Sequence, residues 1–205
     1  GDYLNASAPD GSGGVFIGGH TYGNLGGTSA GQSDGWLAHY DRTGNQLWIR
    51  QIGTSQTDSV WGAARDGTGG VYVSGKTDAS LGGTSAGAID AWIARYDAAG
   101  NQLWIRQFGS VGSDEAQTAS EDGSGGVHVS GWTSGSLGGP SAGRYDAWVA
   151  HFDGAGNQLW IRQLGTTLND TVFSAAPDGS GGVFACGYTH GNLGGLSAGA
   201  ADAWF

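Results

Sequence analysis

The feature that most constrains this chain is a repeat with a period of 56 residues and no gap. Trp36 and Trp92 are 56 residues apart, and the same step continues along the chain. Self-similarity at such a period indicates one supersecondary unit stacked several times. Three columns of identical residues mark the repeat: Trp36, Trp92, Trp148 and Trp204; Asp10, Asp66, Asp122 and Asp178; Asn45, Asn101 and Asn157.

Each unit has the pattern of four short strands. In the second copy we predict strands over Ser59–Arg65, Val71–Thr77, Asp90–Tyr96 and Gln102–Phe108, with a glycine-rich hairpin turn at Asp66–Gly70. The 43 glycines among 205 residues disfavour helices, because each interior glycine costs about 1 kcal/mol relative to alanine. Aromatic residues make up 11% of the chain, which argues against disorder.

Four antiparallel strands in one such repeat are typical of a β-propeller blade, whereas β-solenoid repeats are shorter. We therefore predict an all-β fold, a β-propeller built from four-stranded antiparallel blades. Residues 1–205 form a single propeller segment of about 3.7 blades, a partial ring, with blades at 2–53, 58–109, 114–165 and 170–205. The last copy stops inside its third strand. We expect a fragment of a longer ring, or half of a ring made by two chains, and not a stable closed monomer.

These residues resemble the bacterial SBBP (seven-bladed β-propeller) repeat. The likeness covers the whole chain and is carried by Gly53, Asp58, Asp66-Gly67, Gly70–Gly75, Thr77, Asp90–Asp97 and Gly100-Asn101. It implies a propeller in a secreted or cell-surface bacterial protein, and it offers no catalytic residues. A weaker likeness joins Ala38–Trp48 to the tryptophan-docking motif of quinoprotein propellers. Its Asp-to-Trp spacing is one residue short of that motif. We therefore interpret it as a packing feature common to propeller blades and expect no quinone or other cofactor.

Charge and composition exclude several partners. The net charge is −10 and the eight basic residues are scattered singly, so no patch could neutralise the phosphates of a nucleic acid. No apolar run approaches the roughly 20 residues that span a bilayer, so we expect no membrane insertion. Cys186 is the single cysteine, which excludes an intrachain disulfide. We interpret it as a small core residue.

Residues identical in every copy have structural interpretations. Asp34 and its equivalents open the third strand, and Asp41 and its equivalents open the turn that follows. Calcium ligation is an alternative, but no Asp-x-Asp-x-Asp run occurs and we predict no metal site. Arg50, Arg106 and Arg162 are expected to pair with a carboxylate on a neighbouring strand. His39 and His151 align with Arg95, which predicts a solvated position.

Positions that differ between copies are the candidate binding residues. In propellers the loops that follow the second and fourth strands share one face around the channel mouth. The varied residues there, and in the first strand, mix aromatic and polar groups, which suits a binding face. The alternative, to which we give equal weight, is that these positions are exposed and vary without any role in binding. The candidate ligand-binding residues are His20, Tyr22, Trp61, Lys76, Asp78, Trp132, Arg144, Tyr145, Tyr188 and His190.

The sequence thus predicts a non-enzymatic binding or scaffolding module of a secreted or surface bacterial protein. Its expected partners are a carbohydrate or protein ligand, together with further blades or a second copy of the chain. One alternative is a structural unit that assembles through open blade edges. Another is a propeller enzyme of the lyase, glycosidase or quinoprotein type, which would need convergent carboxylates, a histidine base or a cofactor.

Overall fold

The computed structural model describes residues Gly1–Phe205 and contains strands but no helix, so no helical segment is available to cross a membrane. The fifteen strands run as follows: β1 Asp2–Pro9, β2 Val15–Thr21, β3 Asp34–Tyr40, β4 Gln46–Ile52, β5 Asp58–Arg65, β6 Val71–Thr77, β7 Asp90–Tyr96, β8 Gln102–Phe108, β9 Asp114–Glu121, β10 Val127–Thr133, β11 Asp146–Phe152, β12 Gln158–Leu164, β13 Asp170–Pro177, β14 Val183–Thr189 and β15 Asp202–Trp204.

The strands form four separate antiparallel sheets, in which each strand pairs with its neighbours in sequence. The sheet orders are β1-β2-β3-β4, β5-β6-β7-β8, β9-β10-β11-β12 and β13-β14-β15. The first strands of successive sheets lie beside each other, β1 against β5, β5 against β9 and β9 against β13. This radial order confirms the predicted all-β fold as a partial β-propeller. The boundary between two consecutive sheets is called a junction below, numbered first to third along the chain.

The turn between the first two strands of each sheet follows from its glycines and its aspartate. In the second sheet Gly67 and Gly69 have φ of 77° and 94°, a left-handed conformation that favours glycine. Asp66 closes the turn because its Oδ1 accepts hydrogen bonds from the backbone N–H groups of Thr68, at 2.8 Å, and Gly70, at 2.7 Å. The recurring Asp-Gly-Ser/Thr-Gly-Gly run is therefore a hairpin turn, as its sequence predicts.

The third strand of each complete sheet is buried on both faces. Trp92 and Ile93 point to opposite sides of β7 and are both fully buried, as the nearly continuous apolar run predicts. The fourth strand carries a similar apolar run, Leu103-Trp104-Ile105, which also predicts burial on both faces, and this prediction is wrong. Leu47, Leu103 and Leu159 are about half exposed, because the fourth strand is the outer edge of its sheet and pairs on one side only.

The fourth-strand tryptophan docks on the next sheet. Trp104 Nε1 donates a hydrogen bond to Gly154 O at 3.0 Å, and its ring lies over the Cα of Gly156, whose φ is 82°. Trp48 makes the same contact one sheet earlier, with Ala98 O at 2.8 Å. The docking ties each sheet to the turn between the third and fourth strands of its successor, and it explains why that turn needs a glycine.

We expect Gly156→Ala to destabilise the chain more than Gly44→Ala does. Both glycines have a left-handed φ, so each alanine costs about 1 kcal/mol in backbone strain. Only at Gly156 would the new Cβ meet the Trp104 ring, 2.8 Å away, whereas nothing lies within 4 Å of Gly44. Displacing the ring adds about 1 kcal/mol or more. Urea unfolding of the two variants measures the difference, and equal losses would contradict the docking.

Three structural expectations are corrected. Arg106 pairs with no carboxylate; it donates to Gly156 O at 3.2 Å and lies over the Trp104 ring. His39 is not solvated but buried, with its Nε2 3.0 Å from Asp10 Oδ2. Cys186 is exposed on the fourth sheet, whose outer face carries no further sheet to cover it. The environment of each residue depends on contacts with other strands or sheets, which the residue's own strand does not reveal.

The aspartate that closes the hairpin turn in each complete sheet also pairs with a basic side chain from the third strand of its own sheet. Arg95 Nη2 lies 2.9 Å from Asp66 Oδ2, and His151 Nε2 lies 2.8 Å from Asp122 Oδ2. Hydrogen bonds from His39 and from the Ser12 backbone hold the pKa of Asp10 far below its ordinary value. These pairs stabilise the hairpin-turn side of the sheets.

Candidate functional site

The loops that follow the second and fourth strands lie on one side of the molecule, called the mouth face. At each junction one parallel bridge joins two loops. Ser33, just before the third strand of the first sheet, pairs with Thr57, just before the first strand of the second sheet. Ile89 with Ser113 and Tyr145 with Asn169 repeat the arrangement. The bridges bring the varied residues of adjacent sheets together at the three junctions.

The first junction is filled by stacked rings. His20 stacks on Tyr3 with ring centroids 4.6 Å apart, and Trp61 and Tyr22 also contact it, at 6.0 and 5.7 Å. Asn5 Nδ2 lies 3.1 Å from His20 Nδ1 and donates to Val60 O across the junction. Burial, helped by the nearby Lys76 charge, lowers the pKa of His20 below its ordinary value. Three candidate residues, His20, Tyr22 and Trp61, thus meet here.

The second junction is closed by an ion pair. Lys76 Nζ lies 2.8 Å from Glu115 Oε1, and both side chains are largely buried. Lys76 is therefore used to hold two sheets together and is not presented to solvent. Asp78 lies nearby, exposed, with its backbone N–H bonded to Thr57 O at 3.0 Å.

The third junction is open, and its opening is a cleft of about 260 Å³. The lining combines four aromatic side chains, two of them tyrosines, with one amide and one threonine hydroxyl. Trp132 and Tyr145 form the wall on the third sheet, with centroids 4.6 Å apart. Phe173 and Tyr188 form the facing wall on the fourth sheet, 5.3 Å apart. The six lining residues are Gln117, Trp132, Tyr145, Thr171, Phe173 and Tyr188.

Two polar groups complete the cleft. With its amide oriented to satisfy both ends, Gln117 accepts a hydrogen bond from Trp132 Nε1 and donates one to Val172 O, each 3.1 Å long. It therefore fixes Trp132 and ties the two sheets together. Thr171 is only 4% exposed, yet its Oγ1 has no hydrogen-bond partner. A buried hydroxyl without a partner is costly, so this group is available to a ligand.

The ten candidate residues are thus divided among the junctions. Trp132, Tyr145 and Tyr188 meet in the cleft, and His190 packs beside Tyr188 at 5.0 Å. Arg144 is exposed next to Tyr145. The candidate set lacks Gln117, Thr171 and Phe173. All three belong to columns of the first strand that vary between copies, which is the signal that could have found them.

The structure contains no group of three or more His, Cys, Asp or Glu side chains arranged to hold a metal ion. The repeated carboxylates have partners within the protein instead. Asp90 Oδ2, for example, accepts from Gln107 Nε2 at 2.7 Å and from the Ala86 backbone at 2.8 Å. Asp34 and Asp146 make the equivalent bonds in their sheets.

Comparison with known proteins supports the repeat fold and leaves its role open. No family model matches the chain. The regulatory protein FlaEY of Caulobacter vibrioides is 33% identical over 73% of this chain, which spans 18% of that protein. A protein of unknown function from Bacteroides caccae has a similar structure, with a TM-score of 0.52 and 15% identity over 91% of this chain and 53% of its own. The chain thus spans less than two thirds of the length of either relative.

Proposed function

We propose that this chain is a non-enzymatic binding module of the SBBP repeat type, from a secreted or cell-surface bacterial protein, with its ligand site on the mouth face. One observation carries the proposal: two junctions are filled by their own side chains, and the third is open and lined with aromatic rings. Aromatic surface with a few polar groups is the usual composition of a ligand pocket.

The chemistry of the cleft supports binding over catalysis. Its six lining residues include no carboxylate, histidine, lysine or cysteine, and neither tyrosine of the cleft has such a group beside it in the lining to act as a partner in proton transfer. On the hairpin-turn side, His39 and His151 are each paired with an aspartate of that turn, and the fully buried His128 stacks on His151. The propeller-enzyme alternative would have to draw on such groups, which lie away from the mouth-face cleft.

A panel of ligand classes tests the proposal. Maltohexaose, chitohexaose, a proline-rich peptide and choline chloride are titrated while tryptophan fluorescence is recorded, since Trp132 lies in the cleft. We expect at least one ligand to change the fluorescence, and Trp132→Ala to abolish that change. Tyr22→Ala, at the filled first junction on the same face, is the matched control and leaves binding intact. If no ligand gives a Trp132-dependent signal, the proposal is wrong.

Assembly through the fourth sheet is a second proposal, compatible with the first. The outer face of this sheet is apolar and open, with Phe184 69% exposed above a hollow of about 420 Å³. Patches of this kind mark interfaces, and a further four-stranded unit, from the same parent chain or a second copy, is the occupant that continues the stacking. Light scattering of the purified chain tests self-association, which Phe184→Asp should reduce.

A further inference from the structure

All six residues that line the third-junction cleft differ from their counterparts at the second junction, and one pair of these differences removes an ion pair. Trp132 and Thr171 stand where the preceding repeat has Lys76 and Glu115. In the second junction those two side chains form an ion pair that fills the space. In the third junction neither residue of the pair is charged, so no ion pair bridges the two sheets, and Trp132 and Thr171 line an open cleft between them.

The cleft is an aromatic cage with few directional groups. Four rings surround it, from Trp132, Tyr145, Phe173 and Tyr188. The indole N–H of Trp132 is already bonded to Gln117, so the ring offers its faces and not its donor. Apart from the tyrosine hydroxyls and the partly used Gln117 amide, the free polar group is the Thr171 hydroxyl.

This composition discriminates between ligand classes. A sugar ring presents hydroxyls on all sides and requires several directional partners when it is buried. A quaternary ammonium ion has no N–H to satisfy, and it is attracted by the faces of Trp, Tyr and Phe rings. The net charge of −10 also favours a cationic ligand over an anionic one.

We propose that the third-junction cleft binds a trimethylammonium group, as carried by choline and by phosphocholine headgroups. The four rings surround the cation, and the Thr171 hydroxyl bonds an oxygen elsewhere on the ligand. This inference rests on the proposed binding function and specifies its ligand chemistry.

Calorimetric titration with choline tests the charge requirement. The neutral isostere 3,3-dimethyl-1-butanol has the same shape without the charge, and we expect it to bind about fivefold more weakly, because cation–π attraction at partly exposed rings is worth about 1 kcal/mol. Equal affinity for choline and the isostere would overturn the proposal. Vesicles of phosphatidylcholine and of phosphatidylglycerol distinguish the sources: sedimentation with the first only indicates a lipid headgroup, and choline binding without sedimentation indicates a soluble ligand.

The repeat suggests a variant that should close the cleft without unfolding the protein. The double variant Trp132→Lys/Thr171→Glu rebuilds the ion pair of the second junction in the third. We expect it to unfold at a denaturant concentration close to that of the wild type and to lose at least tenfold in choline affinity. Unchanged affinity in a folded double variant would overturn the site assignment.

Failure of this inference differs from failure of the proposed function. If choline does not bind but an oligosaccharide or peptide does, and the double variant abolishes that binding, the binding function stands and the trimethylammonium assignment falls. If none of these ligands shows binding that depends on Trp132, both fall.

Discussion

Trp104→Ala is expected to lower the free energy of unfolding by about 3 kcal/mol, near the lower end of the range for truncating a core aromatic residue. Trp104 is half-buried, and it connects two sheets by its hydrogen bond to Gly154 and by the contact of its ring with Gly156. It also packs on Tyr72, with ring centroids 5.8 Å apart. The variant therefore loses apolar contact and a hydrogen bond across a junction together.

The neighbouring Leu103 provides the control for this prediction. It belongs to the same strand but is 51% exposed, so Leu103→Ala should cost under about 0.5 kcal/mol. Denaturant melts of the two variants measure the contrast. A loss below about 1 kcal/mol for Trp104→Ala would show that the tryptophan does not hold consecutive sheets together.

Acid is expected to remove about 3 kcal/mol of stability through one buried histidine, His128. The side chain is fully buried and neither ring nitrogen has a hydrogen-bond partner. Burial, with a smaller contribution from His151, lowers the pKa of His128 from 6.5 to about 4, although the charges of Asp122 and Asp178 oppose the shift. The unfolded chain therefore takes up this proton at a higher pH than the folded chain does.

The direction of the pH dependence follows from the linkage between proton binding and folding. A folded-state pKa below the unfolded value gives stability that is present above pH 6.5 and is lost as the pH falls toward 4. A shift of this size corresponds to about 3 kcal/mol. His128→Phe should remove this part of the pH dependence and raise stability at neutral pH, because the first and fourth copies carry Phe16 and Phe184 at the same position. Urea melts between pH 7 and 4 compare the two chains, and parallel curves would contradict the prediction.

The sequence predicted the strands well because their limits depend on local chemistry. In the second sheet, three of the four predicted strands have the observed limits, and the first begins one residue earlier, at Asp58. Each strand ends where a turn begins, and turn residues such as Gly67, with its left-handed φ, are recognisable locally. The repeat then supplied the same limits four times.

The candidate site was less predictable, because it depends on pairs of residues from different sheets. The position of Lys76 varies between copies as that of a ligand-binding residue would, but the Lys76 side chain forms an ion pair with Glu115. Thr171 matters only because it faces Trp132 across the third junction, and no pattern within one strand shows this. The varied columns pointed to the mouth face, while the packing of sheets decides which junction is open.

A crystal structure of the chain soaked with choline would show directly whether the third-junction cleft is the ligand site. We predict the trimethylammonium group between the two aromatic walls, with its nitrogen within about 6 Å of the ring centroids of Trp132 and Tyr188. Choline seated at another surface, with this cleft empty, would contradict the claim.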